Sequence, residues 1–232
     1  MNIKGTINVV ELAVANNADM LLFTSSIKAF RPVCVMGATK RIGELIISDA
    51  AQSTGKIFCT LRLNNVLESS GGVQSLFHQQ IKTGGPVTVT HPDVERTFST
   101  ATETVNLLLE GLLISSPGDV LALQVGRTIS VDSLAKDMIE GRGLRVGEDI
   151  EIEYVGLRPG ERLIEERVTQ GKHWRPTTNR QIMSATFEDW HPSTSELASA
   201  LQELVRFAEC GNSRPVLEQL RRIVPDYSPA SP

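Results

Sequence analysis

The sequence predicts an α/β protein built on a doubly wound parallel sheet. Helical and extended patterns alternate along the chain, as expected when helices cover both faces of such a sheet. The extended segments are also short and apolar, which is typical of parallel strands that are buried on both faces. The 232 residues, 41% of them hydrophobic, can bury a substantial core as one domain or two small ones.

Four elements in the first part of the chain set this pattern. Apolar residues at helical spacing in "GTINVVELAVANNA" predict a helix, and "DMLLFTSS" predicts a buried strand. A second helix is predicted from Met36 to about Ala51, and "KIFCTLRLNNV" is the next strand.

The later segments continue the alternation with more loops. We predict helices at "VQSLFHQQIKTGG", "TETVNLLLEGLLIS" and "SVDSLAKDMIEGRG", the last with Ser130 or Asp132 as its N-cap. Extended segments are predicted at "PVTVTHPDVERTFST", "DVLALQVG" and "DIEIEYVG". Two terminal helices are predicted at "HPSTSELASALQELVRFAECG" and "SRPVLEQLRRIVP".

The composition excludes several classes of function. A net charge of −4 gives no electrostatic reason to expect nucleic acid as a partner. No apolar run approaches the roughly 20 residues of a membrane helix, so we expect a cytoplasmic protein without a membrane span. Neither the cysteines nor the histidines have ligand spacing, so no metal site is predicted; they are Cys34, Cys59, Cys210, His78, His91, His173 and His191.

Four motifs in chain order carry the functional prediction: "SIKAFRPVCVMGATKR", "LRLNNVLESSGGV", "GGPVTVTHPDVERTF" and "GLRPGERLIEE". Together they resemble the NAD-dependent nucleotide-sugar 4,6-dehydratases of polysaccharide biosynthesis, which are extended short-chain dehydrogenase/reductases. The likeness is to the UDP-N-acetylglucosamine 4,6-dehydratase branch. That branch has methionine where the wider family has tyrosine, four residues before a lysine, and Met36 and Lys40 match these two positions.

The resemblance implies a three-step reaction with NAD as cofactor. Hydride leaves sugar C4 for the cofactor, water is lost across C5–C6, and the hydride returns to C6. Lys28 matches the lysine that removes the C5 proton, and Ser26 matches the hydroxyl residue beside it. Lys40 matches the lysine that binds the nicotinamide ribose, and Ser25 is expected on the cofactor side. From the residues alone, Lys40 could be a solvated helix lysine and Met36 ordinary core packing.

Position 27 departs from the family pattern. The resemblance implies a carboxylic acid there, to protonate the leaving 6-hydroxyl, but the residue is Ile27. Isoleucine cannot donate a proton, and general acid catalysis is typically worth about 10²–10⁴-fold in rate. We therefore expect impaired catalysis.

The substrate motifs are better preserved. Arg96 and Arg158 match arginines that grip the diphosphate of a UDP-N-acetylhexosamine, and Asn65 matches an asparagine near the sugar phosphate. Three replacements put the geometry of the pocket in question: Asn64 and Glu68 stand at glycine positions of the family, and Thr97 at a tyrosine position.

The resemblance also implies how the chain is organised. Residues 1–125 are expected to be the C-terminal part of a Rossmann-like NAD-binding and catalytic domain, with a substrate-region segment at about 66–95. Residues 126–232 are expected to form the substrate-binding region and the C-terminal helices. No Gly-rich turn follows a strand, so the sheet is expected to be incomplete, lacking the cofactor-binding N-terminal half.

Three interpretations remain open from the sequence. The chain is a dehydratase whose missing half is supplied by a partner chain, and a homo-oligomer is the other assembly that the resemblance implies. Alternatively it is a non-catalytic module that binds UDP-sugars or partners, or the remnant of a gene.

Overall fold

A computed structural model describes residues 2–165, 174–185 and 193–229 of the chain. The helices are α1 (Asn2–Ala15), α2 (Val35–Thr54), α3 (Val73–Lys82), α4 (Ala101–Ile114), α5 (Val131–Glu140), α6 (Thr194–Glu209) and α7 (Ser213–Ile223). The strands are β1 (Met20–Ser26), β2 (Ile57–Leu63), β3 (Asn65–Val66), β4 (Val87–Val89), β5 (Glu95–Ser99), β6 (Val120–Leu123), β7 (Arg127–Ser130), β8 (Ile152–Tyr154), β9 (Arg175–Pro176) and β10 (Ile182–Ala185). A short 3₁₀ helix, Ile27–Ala29, follows β1.

The chain folds into two compact units that are interleaved along the sequence. Unit one comprises Met1–Leu63, Leu107–Gln124 and Glu166–Pro232, and unit two comprises Asn64–Asn106 and Val125–Glu165. The predicted division places one substrate-region segment, at about 66–95, inside residues 1–125, and in the structure the chain leaves unit one twice and returns each time. Helices α6 and α7 therefore belong to unit one.

Unit one contains a five-stranded sheet in the order β1-β2-β6-β10-β9. The first three strands are parallel, with Phe23 opposite Thr60 and Leu61 opposite Leu121, and β10 adds to β6 in the antiparallel direction. The parallel strands and the helices between them confirm the predicted α/β class.

Helix α2 packs against this sheet along most of its length. The Sγ atom of Cys34 accepts a hydrogen bond from Gly37 N and caps the first turn, and Gly55 ends the helix with a φ of 67°. A Cβ atom on Gly43 would lie only 2.5 Å from the ring of Phe23, so glycine lets the helix approach β1 closely. The core beneath it joins residues of α1, α2, β2, α6 and α7, including Val10, Ile42, Leu45, Phe58, Leu201, Leu204, Leu220 and Ile223.

Unit two contains a three-stranded sheet, β3-β5-β7, and a parallel pair, β4-β8. Helices α3 and α5 enclose its core, which includes Phe77, Ile81, Val87, Val89, Val131, Ala135, Ile139 and Ile150. The extended segment predicted at 86–100 is in fact two strands in different sheets. His91–Val94 forms the turn between them, with Val94 N donating to His91 O at 3.2 Å.

All predicted helices occur, with boundaries shifted by a few residues. Strands β7, β9 and β10 were not predicted, since each is only two to four residues long and shows no apolar alternation in sequence. Across the described ranges, none of the helices has the length and apolar character needed to cross a membrane.

Candidate functional site

The end of β1 and the 3₁₀ helix carry the first group of predicted site residues. Ser26 Oγ accepts a hydrogen bond from Lys28 N at 3.3 Å and caps the short helix. The start of α2 lies against this turn, because a Cβ atom on Gly37 would stand 2.2 Å from Lys28 O. Ser26 is therefore a structural cap, and Lys28 is held on a turn fixed by α2.

Ile27 packs in an apolar environment. Its side chain is 9% exposed and clusters with Ala122, Phe30 and Trp174. The position at which the resemblance implies a proton donor is thus a hydrophobic contact. A carboxyl group there would lose hydration, and among the side chains of these three neighbours only the indole N–H of Trp174 is a hydrogen-bond donor.

Met36 and Lys40 lie one turn apart on α2. Met36 is 41% exposed and lines a surface groove with Ile3 and Leu204, so the core-packing alternative is wrong. Lys40 Nζ donates to Thr24 O at 3.0 Å and lies 4.9 Å from the centroid of the Phe23 ring. Burial lowers the pKa of Lys40, against a smaller raising effect of the Glu44 charge. Lys40 is therefore not a freely solvated lysine.

Glu44 and Arg62 form a buried ion pair next to the end of β1, and the sequence alone did not predict it. The Glu44 carboxylate, fully buried, accepts from Arg62 Nε at 2.8 Å and Arg62 Nη2 at 2.7 Å. It also accepts from Ser25 Oγ at 2.6 Å and Arg41 Nη1 at 3.2 Å. Charged residues within the apolar runs "RIGELII" and "IFCTLRL" were the signal for this pair, since buried charges require partners.

The ion pair controls the ionisation of Glu44. Burial raises the pKa of this carboxyl, but the charge and hydrogen bonds of Arg62, with help from Arg41 and Ser25, leave the pKa below its ordinary value. Glu44 is therefore ionised, and its bond to Ser25 fixes the end of β1. Arg62 also lies 5.8 Å from the centroid of the Trp174 ring.

Unit two contains a separate pocket of about 260 Å³. Its lining includes all three predicted substrate residues, Asn65, Arg96 and Arg158, together with Glu161 and the glycine-rich turn Gly71–Gly72. Arg158 is exposed, and its guanidinium makes no hydrogen bond or ion pair with any residue in the described ranges. The pocket thus presents one cation whose donors are available to a ligand.

Arg96 is bound by protein groups. Its Nη1 donates to Glu95 O at 2.8 Å and to Leu163 O at 3.0 Å, and its Nη2 donates to Glu161 Oε1 at 2.8 Å. Its Nε lies 3.7 Å from Glu165 Oε1. Two carboxylates therefore compensate the charge of this guanidinium.

Asn64 and Glu68, which stand at glycine positions of the family, differ in backbone conformation. Glu68 has a φ of 59°, the left-handed conformation that favours glycine. Asn64 has no such strain, and its Nδ2 donates to Val125 O at 2.7 Å. Thr97 Oγ1 lies 3.3 Å from Thr128 Oγ1. Only the Glu68 replacement imposes a backbone cost.

The structure thus collects the predicted residues into two groups. Unit one holds Ser25, Ser26, Ile27, Lys28, Met36 and Lys40, and the pocket of unit two holds Asn65, Arg96 and Arg158. Within the described ranges, no three His, Cys, Asp or Glu side chains are grouped so as to hold a metal ion. His173 and His191 lie outside these ranges.

Residues 1–187 match the sequence model of a family described as polysaccharide biosynthesis protein. The capsular polysaccharide biosynthesis protein CapD of Staphylococcus aureus is 42% identical over 172 residues, which are 74% of this chain and 28% of that protein. The chain therefore spans less than a third of this relative.

Two solved structures show the fold. The X-ray structure of Pen from Bacillus thuringiensis is 33% identical, with a TM-score of 0.71 over 82% of this chain and 59% of that one. The Thermus thermophilus UDP-glucose 4-epimerase in complex with NAD is 18% identical, with a TM-score of 0.62 over 71% of this chain and 60% of that one. At that identity the second likeness concerns the fold alone.

Proposed function

Because the chain belongs to the polysaccharide biosynthesis protein family, we propose that it binds a UDP-N-acetylhexosamine in the pocket of unit two. The observation that carries this proposal is Arg158, an exposed guanidinium without a protein partner in the described ranges, at a pocket that Asn65 and Arg96 also line. Guanidinium groups suit a diphosphate because they donate two parallel hydrogen bonds to its oxygens.

The reaction proposed for this ligand is the 4,6-dehydration implied by the sequence motifs. Lys28 would remove the C5 proton, and NAD, when bound, would accept the C4 hydride and return it to C6. Lys40 fits a contact with the cofactor, since it is partly buried beside the end of β1 and has a lowered pKa. Ser25 fits less well, because its hydroxyl is buried and already donates to Glu44.

The elimination step would be slow in this chain. Ile27 supplies no proton, and its neighbours Ala122, Phe30 and Trp174 offer none in its place. This favours a second candidate, a module that binds UDP-sugars without turning them over. The remnant interpretation is less favoured, because each unit encloses its own buried core.

Titration of the chain with UDP by calorimetry tests the binding proposal. Arg158→Ala should weaken binding by about 1.5–3 kcal/mol, the usual range for hydrogen bonds to a charged group. Arg127→Ala is the matched control, since Arg127 is exposed in the same unit but does not line the pocket. Equal affinity of wild type and Arg158→Ala for UDP would remove the basis of the proposal.

A further inference from the structure

We propose that Arg96 is a positioning residue of this pocket. With Glu161 it forms a latch that holds residues 158–165 against β5, and this places Arg158 to meet the phosphates of the ligand. The role of the latch in ligand binding rests on the proposed function. The latch itself does not, because it consists of contacts within unit two.

The contacts of Arg96 reach three successive parts of the 158–165 segment. Nη2 donates to Glu161 Oε1 at 2.8 Å, Nη1 donates to Leu163 O at 3.0 Å, and Nε lies 3.7 Å from Glu165 Oε1. The side chain is only 11% exposed. A guanidinium engaged on three sides cannot grip a diphosphate bidentately without giving up these partners.

Glu161 completes the latch from the other side. Its Oε1 also accepts from Thr90 Oγ1 at 3.1 Å, and its Oε2 accepts from Arg158 N at 3.2 Å. Glu161 N donates in turn to Arg158 O at 2.9 Å, which closes the turn between them. One carboxylate therefore joins Arg96 to the backbone of Arg158.

The carboxylates around each side chain favour different roles for Arg96 and Arg158. Arg96 lies beside Glu161 and Glu165, whereas no carboxylate of the described ranges pairs with the Arg158 guanidinium. A diphosphate would be repelled by the carboxylates around Arg96 and attracted to Arg158. Asn65 belongs to the same assembly, since its Nδ2 donates to Glu165 Oε2 at 2.9 Å.

Hydrogen exchange and UDP titration on the same variants test the proposal. Arg96→Met should speed amide exchange in residues 161–165 by about tenfold or more, because it leaves partly buried carboxylates without their partner. Its affinity for UDP should fall by less than about fivefold, with the salt dependence of binding retained. Arg158→Met should leave exchange unchanged, lower UDP affinity by about tenfold or more and reduce the salt dependence.

Glu95→Gln is the matched control. The backbone of Glu95 bonds to Arg96 and to Leu163, and the substitution keeps those bonds, while the Glu95 side chain makes no hydrogen bond or ion pair within the described ranges. Unchanged exchange in Arg96→Met, with losses of affinity and salt dependence equal to those of Arg158→Met, would make Arg96 a ligand residue and overturn the proposal. If Arg96→Met does not fold, Arg96→Lys must show the faster exchange; wild-type exchange in that variant overturns the latch. If wild-type protein fails to bind UDP, the proposed function and the role given to Arg158 both fall, and the exchange data still decide whether the latch exists.

Discussion

The two units use charge in opposite ways. In unit one, Glu44 and Arg62 are buried together, and the groups bonded to the carboxylate are all protein groups. In unit two, Arg158 is exposed beside a pocket with its donors available. A buried charge depends on its internal partner, since losing that partner leaves it uncompensated, whereas a charge left open at a pocket wall is suited to a ligand. Charge alone therefore does not mark a site.

The same contrast applies to the replaced residues. In unit one the replacement at the expected acid position, Ile27, is packed on apolar neighbours and removes a chemical group. In unit two the replacement Asn64 makes a hydrogen bond of its own, and the pocket keeps the predicted substrate residues. The replacement in the catalytic segment therefore removes a proton donor, whereas the replacement in the pocket leaves the predicted substrate residues in place.

The largest effect is expected from breaking the buried pair of unit one. Glu44→Ala leaves Arg62, 4% exposed, without its counter-charge and should lower the free energy of unfolding by about 3–5 kcal/mol. Urea denaturation followed by circular dichroism measures this. Glu11→Ala, an exposed position, should change stability by less than about 0.5 kcal/mol. Similar losses in both variants would remove the contrast between buried and open charges.

The pH dependence of stability provides a second test of the Glu44–Arg62 pair. The folded-state pKa of Glu44 is lowered, so its contribution to stability is complete above its unfolded-state pKa, near the ordinary 4.5, and is lost as pH falls through the lowered value. Glu44→Gln lacks this titration. The stability difference between wild type and Glu44→Gln should therefore shrink as pH falls below about 4.5.

Much of the fold followed from local pattern. The parallel strands β1, β2 and β6 were predicted because they are apolar runs flanked by helical segments. Strands β9 and β10 were not, since their pairing with β6 depends on residues far away in sequence. The interleaving of the two units has the same cause, because it is set by contacts across the chain. The predicted family resemblance is confirmed by the match over residues 1–187.

Ile27→Asp is expected to have the second largest effect. Placing a carboxyl group among Ala122, Phe30 and Trp174 should destabilise the protein by about 2–4 kcal/mol at neutral pH. Because burial raises the pKa of such a carboxyl, the loss should become smaller as pH falls from 7 to 5. Ile27→Val is the control, with an expected cost of about 0.5–1.5 kcal/mol. A variant Ile27→Asp as stable as Ile27→Val would show that the segment accepts an acid readily.

The residues of the site were predictable from the sequence, but their hydrogen bonds and ion pairs were less so. The motifs placed Asn65, Arg96 and Arg158 together, and one pocket contains all three. The engagement of Arg96 by Glu161 and Glu165 could not be read from sequence, because it depends on a turn that brings residue 161 back to β5. The assignment of catalytic and cofactor roles in unit one stays a prediction.

The smallest effect is expected at Glu68, in the turn of unit two that follows β3. A side chain at a φ of 59° costs roughly 1–2 kcal/mol, because its Cβ crowds the following carbonyl oxygen. Glu68→Gly removes this cost, but the greater conformational entropy of glycine stabilises the unfolded chain by about 0.4–1 kcal/mol. We therefore expect a net gain in stability of about 0.5–1 kcal/mol, visible as a higher urea midpoint with an unchanged slope.

Glu68→Gln separates backbone strain from charge at this position. It keeps the Cβ atom and so should leave the free energy of unfolding unchanged, but it removes the carboxylate just as Glu68→Gly does. The peptide N–H of residue 68, which donates to Gln74 Oε1 at 2.7 Å, is present in both variants. Since the side chain is exposed and its charge is screened, UDP affinity should rise by less than about threefold, and equally in both. A gain in stability for Glu68→Gln equal to that of Glu68→Gly would assign the cost to charge, and the turn of unit two would then be unstrained.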